Sequence, residues 1–171
     1  MEIRHLNQND SKVEISNVYE ESWKYAYKGI IPQCFLDSIP RGKWAASLEE
    51  KGRNTLVMLD NKRIVGTSSY GGSRFEDFKN MGEIISIYLL PQYIGKGNGK
   101  LLLDAVLENL VTLEYHEVFL WVLEENYSAR KFYEKNGFVK TDKFLDDNIG
   151  GKPLREIQYI LNLDRRAYSH G

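Results

Sequence analysis

A chain of 171 residues with 42% hydrophobic and 27% charged residues has the size and composition of one soluble globular domain, spanning residues 1–171. Those proportions exclude a wholly disordered polypeptide. Lys and Arg number 23 against 24 Asp and Glu, a net charge of -1 that offers no general attraction to nucleic acid or to an anionic membrane.

Cys34 is the single cysteine, so no intrachain disulfide forms, and His5, His116 and His170 lack metal-ligand spacing. No metal is therefore expected. The opening MEIRHLNQND carries no apolar signal region, and no apolar run approaches the roughly 20 residues of a membrane span. The expected location is the cytoplasm.

Taken in chain order, Glu2–Leu6 alternates as a short first strand. Asp10 or Ser11 caps a helix whose buried face is Ile15, Val18, Tyr19, Ser22 and Ala26. That helix must stop at Gly29-Ile30-Ile31-Pro32, and a second, shorter one is expected over Lys43–Lys51. Thr55–Leu59 and Arg63–Tyr70 read as a hairpin closed by Asp60-Asn61-Lys62, and Gly71–Gly82 as a surface loop. Glu83–Leu90 (EIISIYLL) is apolar and β-branched on both faces, the pattern of a central buried strand.

After Pro91 and a Gly-rich turn, Lys100–Leu113 is helical, with Leu102, Val106, Leu110 and Leu113 as its apolar stripe. Val118–Leu123 is another buried strand, and Ser128–Lys135 a short helix stopped by Asn136-Gly137. Phe138–Phe144 and Glu156–Leu163 complete the strands around a turn at Asp146–Pro153, and Arg165–Gly171 reads as a frayed tail. Strand, turn, helix and strand at the centre form a βαβ unit, so a mixed sheet with helices packed on it is expected.

The turn Gly95-Lys96-Gly97-Asn98-Gly99-Lys100 is where chemistry concentrates. Glycines let main chain approach a ligand, the first N–H groups of a helix point outward, and the helix dipole favours an anion. A Walker A loop is excluded, because Leu101 follows Gly99-Lys100 and Ile94 holds the earlier glycine position. A dinucleotide fingerprint fails too, since Lys100 or Leu102 falls where the third glycine belongs.

Gly-x-Gly-x-Gly opening a helix, after a strand that ends in Pro-x-Tyr, resembles the GNAT acetyltransferase superfamily. The resemblance rests on Glu83–Leu103 and on Asn126–Phe138, where Asn126, Ala129, Phe132, Tyr133, Gly137 and Phe138 match a second block of that family. Two departures stand out: Ile94 replaces a usual Gln or Arg, and Asn98 a usual aliphatic residue.

The resemblance implies a three-layer α+β fold with a mixed, mostly antiparallel twisted sheet flanked by helices. It also implies acetyl-CoA as co-substrate. Gly95, Lys96, Gly97, Asn98, Gly99 and Lys100 would wrap its pyrophosphate. Ile87 and Leu89, with Tyr88 between them, would meet the pantetheine arm and acetyl group, and Asn126 would join from the neighbouring strand end. Tyr133 is the expected acid for the departing thiolate and Glu83 the expected base. Trp23, Tyr27 and Ile30 would border the acceptor amine, which the sequence leaves open among small molecules, peptide N-termini and lysine. A non-catalytic acyl-CoA sensor is the alternative, and a homodimer stays open as the assembly.

Overall fold

The computed structural model describes residues 1–168, with side chains through Arg166. Seven strands form one sheet in the order β1-β2-β3-β4-β5-β7-β6. They are β1 (Glu2–His5), β2 (Arg53–Asp60), β3 (Arg63–Gly72), β4 (Gly82–Leu89), β5 (Glu117–Leu123), β6 (Val139–Ile149) and β7 (Lys152–Asn162). The helices are α1 (Lys12–Ala26), α2 (Gln33–Ser38), α3 (Asn98–Thr112), α4 (Tyr127–Lys135) and α5 (Leu163–Tyr168). Neighbouring strands pair antiparallel except β4 with β5, the parallel pair that α3 connects. The sheet is thus mixed and mostly antiparallel, as the sequence suggested, with β4 at its middle.

Helices cover both faces. Ser11 Oγ accepts from Glu14 N and starts α1, while Asp10 instead binds Arg4 through two bonds of 2.8 Å. α1 lays Ile15, Val18 and Tyr19 on the sheet, and the Tyr19 hydroxyl bridges Ser69 of β3 and Ser86 of β4 at 3.2 and 2.9 Å. α3 covers the opposite face with Leu102, Leu103, Val106, Leu107 and Leu110, all buried. Leu113, expected on that stripe, is 49% exposed because the helix ends at Thr112 and the chain turns away.

The segment Lys43–Lys51 departs from expectation. It contains only a 3-10 turn, Ala46–Glu49, while a helix that composition did not announce, α2, begins directly after Pro32. Tertiary packing decides here: Trp44 stacks on Tyr19 at 5.4 Å and its amide donates to Ser16 Oγ at 3.0 Å, which holds this stretch flat against α1. The expected turn Asp146–Pro153 shrinks to Gly150-Gly151, both left-handed, so β6 and β7 form a long hairpin. Of the expected tail, residues through 168 lie on α5 and residues 169–171 fall outside those described.

One contact ties helix and sheet at the middle of the molecule. Ser22, buried on α1, donates its hydroxyl to the Leu89 carbonyl at the end of β4, 2.6 Å away. Ser22→Ala leaves that carbonyl without its partner and should destabilise the fold by about 1–3 kcal/mol. A lower urea midpoint at unchanged m-value checks this.

Candidate active site

The parallel pair β4–β5 holds for two registers only, Gly82 with Val118 and Glu83 with Phe119. Beyond them the strands part. The cause lies on the other edge of β4, where Ile84 and Ser86 face the adjacent residues Tyr70 and Ser69, leaving Ile85 as an extra residue. Such a bulge bends and twists the strand that carries it. β5 meanwhile pairs along its whole length with β7 on its far side.

The divergence opens a cleft lined by main chain. Leu90 N donates to Val65 O at 2.8 Å, which fixes the alternation along β4. By that alternation the amides of Ile87 and Leu89 face the cleft. The amide of Tyr88 belongs to the β3 ladder, so Tyr88 faces the site with its ring and not with its main chain.

At the mouth of the cleft the chain turns into α3. Gly95 and Gly97 are left-handed, with φ of 74° and 83°, and open space surrounds both. The backbone conformation is what requires glycine there, since a side chain would add roughly 1–2 kcal/mol of strain. Gly99 is small for a different reason: a Cβ would lie 3.3 Å from the Phe132 ring, which presses α4 against the start of α3.

No side chain caps α3, whereas Ser11 caps α1 and Asn126 caps α4. The first amides of α3 therefore remain available to an anion. Asn98 is buried and donates Nδ2 to Tyr93 O at 3.0 Å, so its side chain braces the turn instead of facing a ligand. Lys100 is paired with Asp104 at 2.6 Å, and Lys96 is exposed without an ion pair among the described residues. Asn126 Oδ1 accepts from Ala129 N at 3.2 Å, opening α4 beside the end of β5.

Deeper in, three phenols gather. Tyr133 on α4 is buried between Phe132 and Phe138, and its hydroxyl has no hydrogen-bond partner among the described residues. Burial, and then the proximity of Tyr88, push its pKa well above that of an ordinary tyrosine. Burial likewise raises Tyr88, whose hydroxyl accepts from Trp23 Nε1 at 3.1 Å, and lifts Tyr27 to about 12. Trp23 meets Tyr27 edge-on at 5.0 Å. Ile30 packs with them, and its carbonyl accepts from Lys152 of β7 at 2.8 Å. The structure thus brings Trp23, Tyr27, Ile30, Tyr88 and Tyr133 to one place.

Glu83 sits apart from these phenols at the base of the cleft. It is fully buried and both its oxygens are bound by Arg74: the guanidinium reaches Oε2 at 2.7 Å and the amide reaches Oε1 at 3.0 Å. A solvent-facing strand-edge carboxylate is therefore excluded, and so is a carboxylate with free lone pairs aimed into the cleft.

Sequence reasoning passed over Glu156. This β7 residue is directly opposite Leu123 of β5, hence on the same sheet face as that leucine, which packs with Trp23, Tyr27 and Ile30. It is half-buried, and its side chain has neither an ion pair nor a hydrogen bond among the described residues. Burial foremost, then Asp147, raise its pKa, against the pull of Arg74. A signal existed, since Leu154, Glu156 and Gln158 share one face and a charged residue between buried neighbours is out of pattern.

Residues 15–138 match the Acetyltransferase (GNAT) family. Over 166 residues, 93% of this chain and 98% of the relative, it is 32% identical to the spermidine N(1)-acetyltransferase of Thermoplasma acidophilum. The L-amino acid N-acyltransferase MnaT of Escherichia coli is 26% identical over 82% of the chain and 81% of its own length. In fold, the chain is similar to the PaiA N-acetyltransferase of Thermoplasma acidophilum, solved in complex with coenzyme A, with a TM-score of 0.73 at 24% identity over 94% and 98% of the two chains. A strand parted from its parallel neighbour, an uncapped helix behind left-handed glycines and a sequence match over most of the chain converge: the protein belongs to the GNAT acetyltransferase family.

Proposed function

We propose that this enzyme, an N-acetyltransferase by family, moves the acetyl group of acetyl-CoA onto a primary amine by direct attack while both substrates are bound, as a single domain working in the cytoplasm. The divergence of β4 from β5 carries the reading, because it leaves strand amides free to pair with an amide-bearing arm. The residues present fit coenzyme A. Main-chain amides of Gly95, Lys96, Gly97, Asn98, Gly99 and Lys100 hold the pyrophosphate, with Lys96 adding charge. The Ile87 amide pairs with the pantetheine arm, and Asn126 contributes its Nδ2 donors from the end of β5. When bound, the co-substrate supplies an activated thioester carbonyl.

The remaining steps belong to the chain. The Leu89 amide, on a strand end pinned by Ser22, is set to donate to the carbonyl oxygen as negative charge develops on it. Tyr133 donates its hydroxyl to the departing sulfur. At reference values, ~10 for a phenol and ~8.5 for a thiol, full proton transfer is uphill by roughly 2 kcal/mol. Burial raises Tyr133 further, so it acts as a hydrogen-bond donor that stays protonated across the working pH range. Trp23, Tyr27 and Ile30 border the acceptor, with aromatic faces suited to an alkylammonium. Glu83 fixes the segment before β4 through Arg74.

Two outcomes test this reading. Gly97→Val should cost roughly 1–2 kcal/mol from the left-handed backbone and still fold, since nothing crowds that position, yet abolish the thermal shift that acetyl-CoA gives the parent protein. Tyr133→Phe should lower kcat for amine acetylation by about 10²-fold while acetyl-CoA affinity changes little. Equal losses in both parameters would make Tyr133 a packing residue.

A further inference from the structure

A primary amine arrives at neutral pH as an ammonium ion. With a pKa of ~10.4, releasing its proton to bulk solvent at pH 7 costs about 4.6 kcal/mol. The site must therefore hold a group that attracts the cation and accepts the proton, and Glu83 is spent on Arg74.

Glu156 meets the requirement by position. It stands directly across from Leu123 on β5 and from Leu145 on β6. Leu123 belongs to the apolar cluster that Trp23, Tyr27 and Ile30 wall, so the carboxylate opens on the acceptor side of the cleft. The Tyr27 phenol lies within electrostatic reach of both Glu156 and Tyr133, which puts the carboxylate and the thiolate-side donor around one ring. The groups facing Glu156 are Tyr27 from the end of α1, Asp147 from β6 and Arg74 from the segment before β4. Arg74 is already neutralised by Glu83, so the net local charge left for a ligand is negative.

Two buried donors on neighbouring strand positions have no partner among the described residues. Trp121 Nε1 and Gln158 Nε2 are on residues directly opposed across β5 and β7, and Gln158 is two positions from Glu156 on the same face. Buried polar atoms are rarely left unpaired, and as N–H donors these two would meet an acceptor atom of a ligand, not its ammonium.

We propose that Glu156 binds the ammonium of the acceptor and takes its proton as the amine attacks. The proposal rests on the acetyl-transfer reading above. The ammonium loses one proton to the Glu156 carboxylate. The freed nitrogen lone pair forms the C–N bond to the acetyl carbon while the C–S bond breaks and the sulfur keeps its electron pair. The second nitrogen proton ends on that sulfur, giving a neutral amide and a thiol, and Glu156 returns its proton to solvent. Burial brings the two partners closer in proton affinity, raising a carboxylate and lowering an ammonium.

The test compares the full-length parent, Glu156→Gln and Glu156→Asp with spermidine as probe, because a relative acts on that amine. Calorimetry with coenzyme A present should show spermidine binding at least tenfold weaker in E156Q, with coenzyme A affinity unchanged. In turnover, kcat of the parent should fall as pH drops through the Glu156 pKa and level off above it. E156Q should be slower by about 10²-fold at pH 7 and rise about tenfold per pH unit without a plateau, as proton release passes to hydroxide. E156D should recover part of the rate. Spermidine binding and a pH profile equal to those of the parent would overturn the role of Glu156 while leaving acetyl transfer intact. A parent that binds spermidine through Glu156 but acetylates nothing would sink the acetyl-transfer reading and spare the ammonium site. Loss of coenzyme A affinity in E156Q would show a packing role and overturn the proposal.

Discussion

Everything in this molecule depends on a parallel strand pair that closes for two residues and then opens. A buried strand ordinarily spends both edges on neighbours, and each buried N–H left without a partner costs about 1–3 kcal/mol. β4 spends one edge on β3 and leaves the other unpaired beyond Glu83. The extra residue Ile85 produces the bend, the full-length β5–β7 ladder keeps β5 from following, and Ser22 holds the Leu89 carbonyl at the far end. The sheet is thereby shaped to receive a ligand that behaves as a strand.

The same opening governs the electrostatics. Tyr27, Tyr88 and Tyr133 sit where burial dominates their titration, and each pushes up at least one of the others. Their shared effect is to keep three hydroxyls protonated in a region of low polarity, where a hydrogen bond to developing charge is stronger than it is in water. The same burial raises the pKa of Glu156 in that neighbourhood. Arg74 offsets this only in part, because both oxygens of Glu83 already engage it. A cation entering from solvent therefore meets aromatic faces and one uncommitted carboxylate.

How much of this was legible in the residues follows from what each signal measures. EIISIYLL and VFLWVL announced buried strands, and both are strands with most of their side chains buried. Gly95 and Gly97 marked a turn where main chain can approach a ligand, and the structure shows both in the left-handed conformation that glycine adopts freely. The Trp44 segment failed because tertiary contacts with Tyr19 and Ser16 override local helix preference, which no periodicity records. Glu83 was read for its place on a strand, yet its partner Arg74 comes from a loop whose geometry periodicity does not reach. Glu156 is near the site only because β7 inserts between β5 and β6, an order in the sheet that the linear sequence does not display.

The two departures from the family pattern illustrate where specificity for the anion resides. Asn98 replaces an aliphatic residue, and its side chain points inward to close the turn on the Tyr93 carbonyl. Ile94 replaces a polar residue and leaves 39% of its surface exposed, contributing no donor. Neither change touches the amides of residues 95–100 or the uncapped start of α3, whose direction is set by backbone conformation. A site built from main chain tolerates side-chain drift at every position except those where the left-handed conformation or the Phe132 ring demands glycine. The proposed acceptor side would work the other way, since Trp23, Tyr27, Tyr133 and Glu156 would act there only through their side chains. Donor binding in this fold is consequently conservative by construction, and acceptor choice is free to vary.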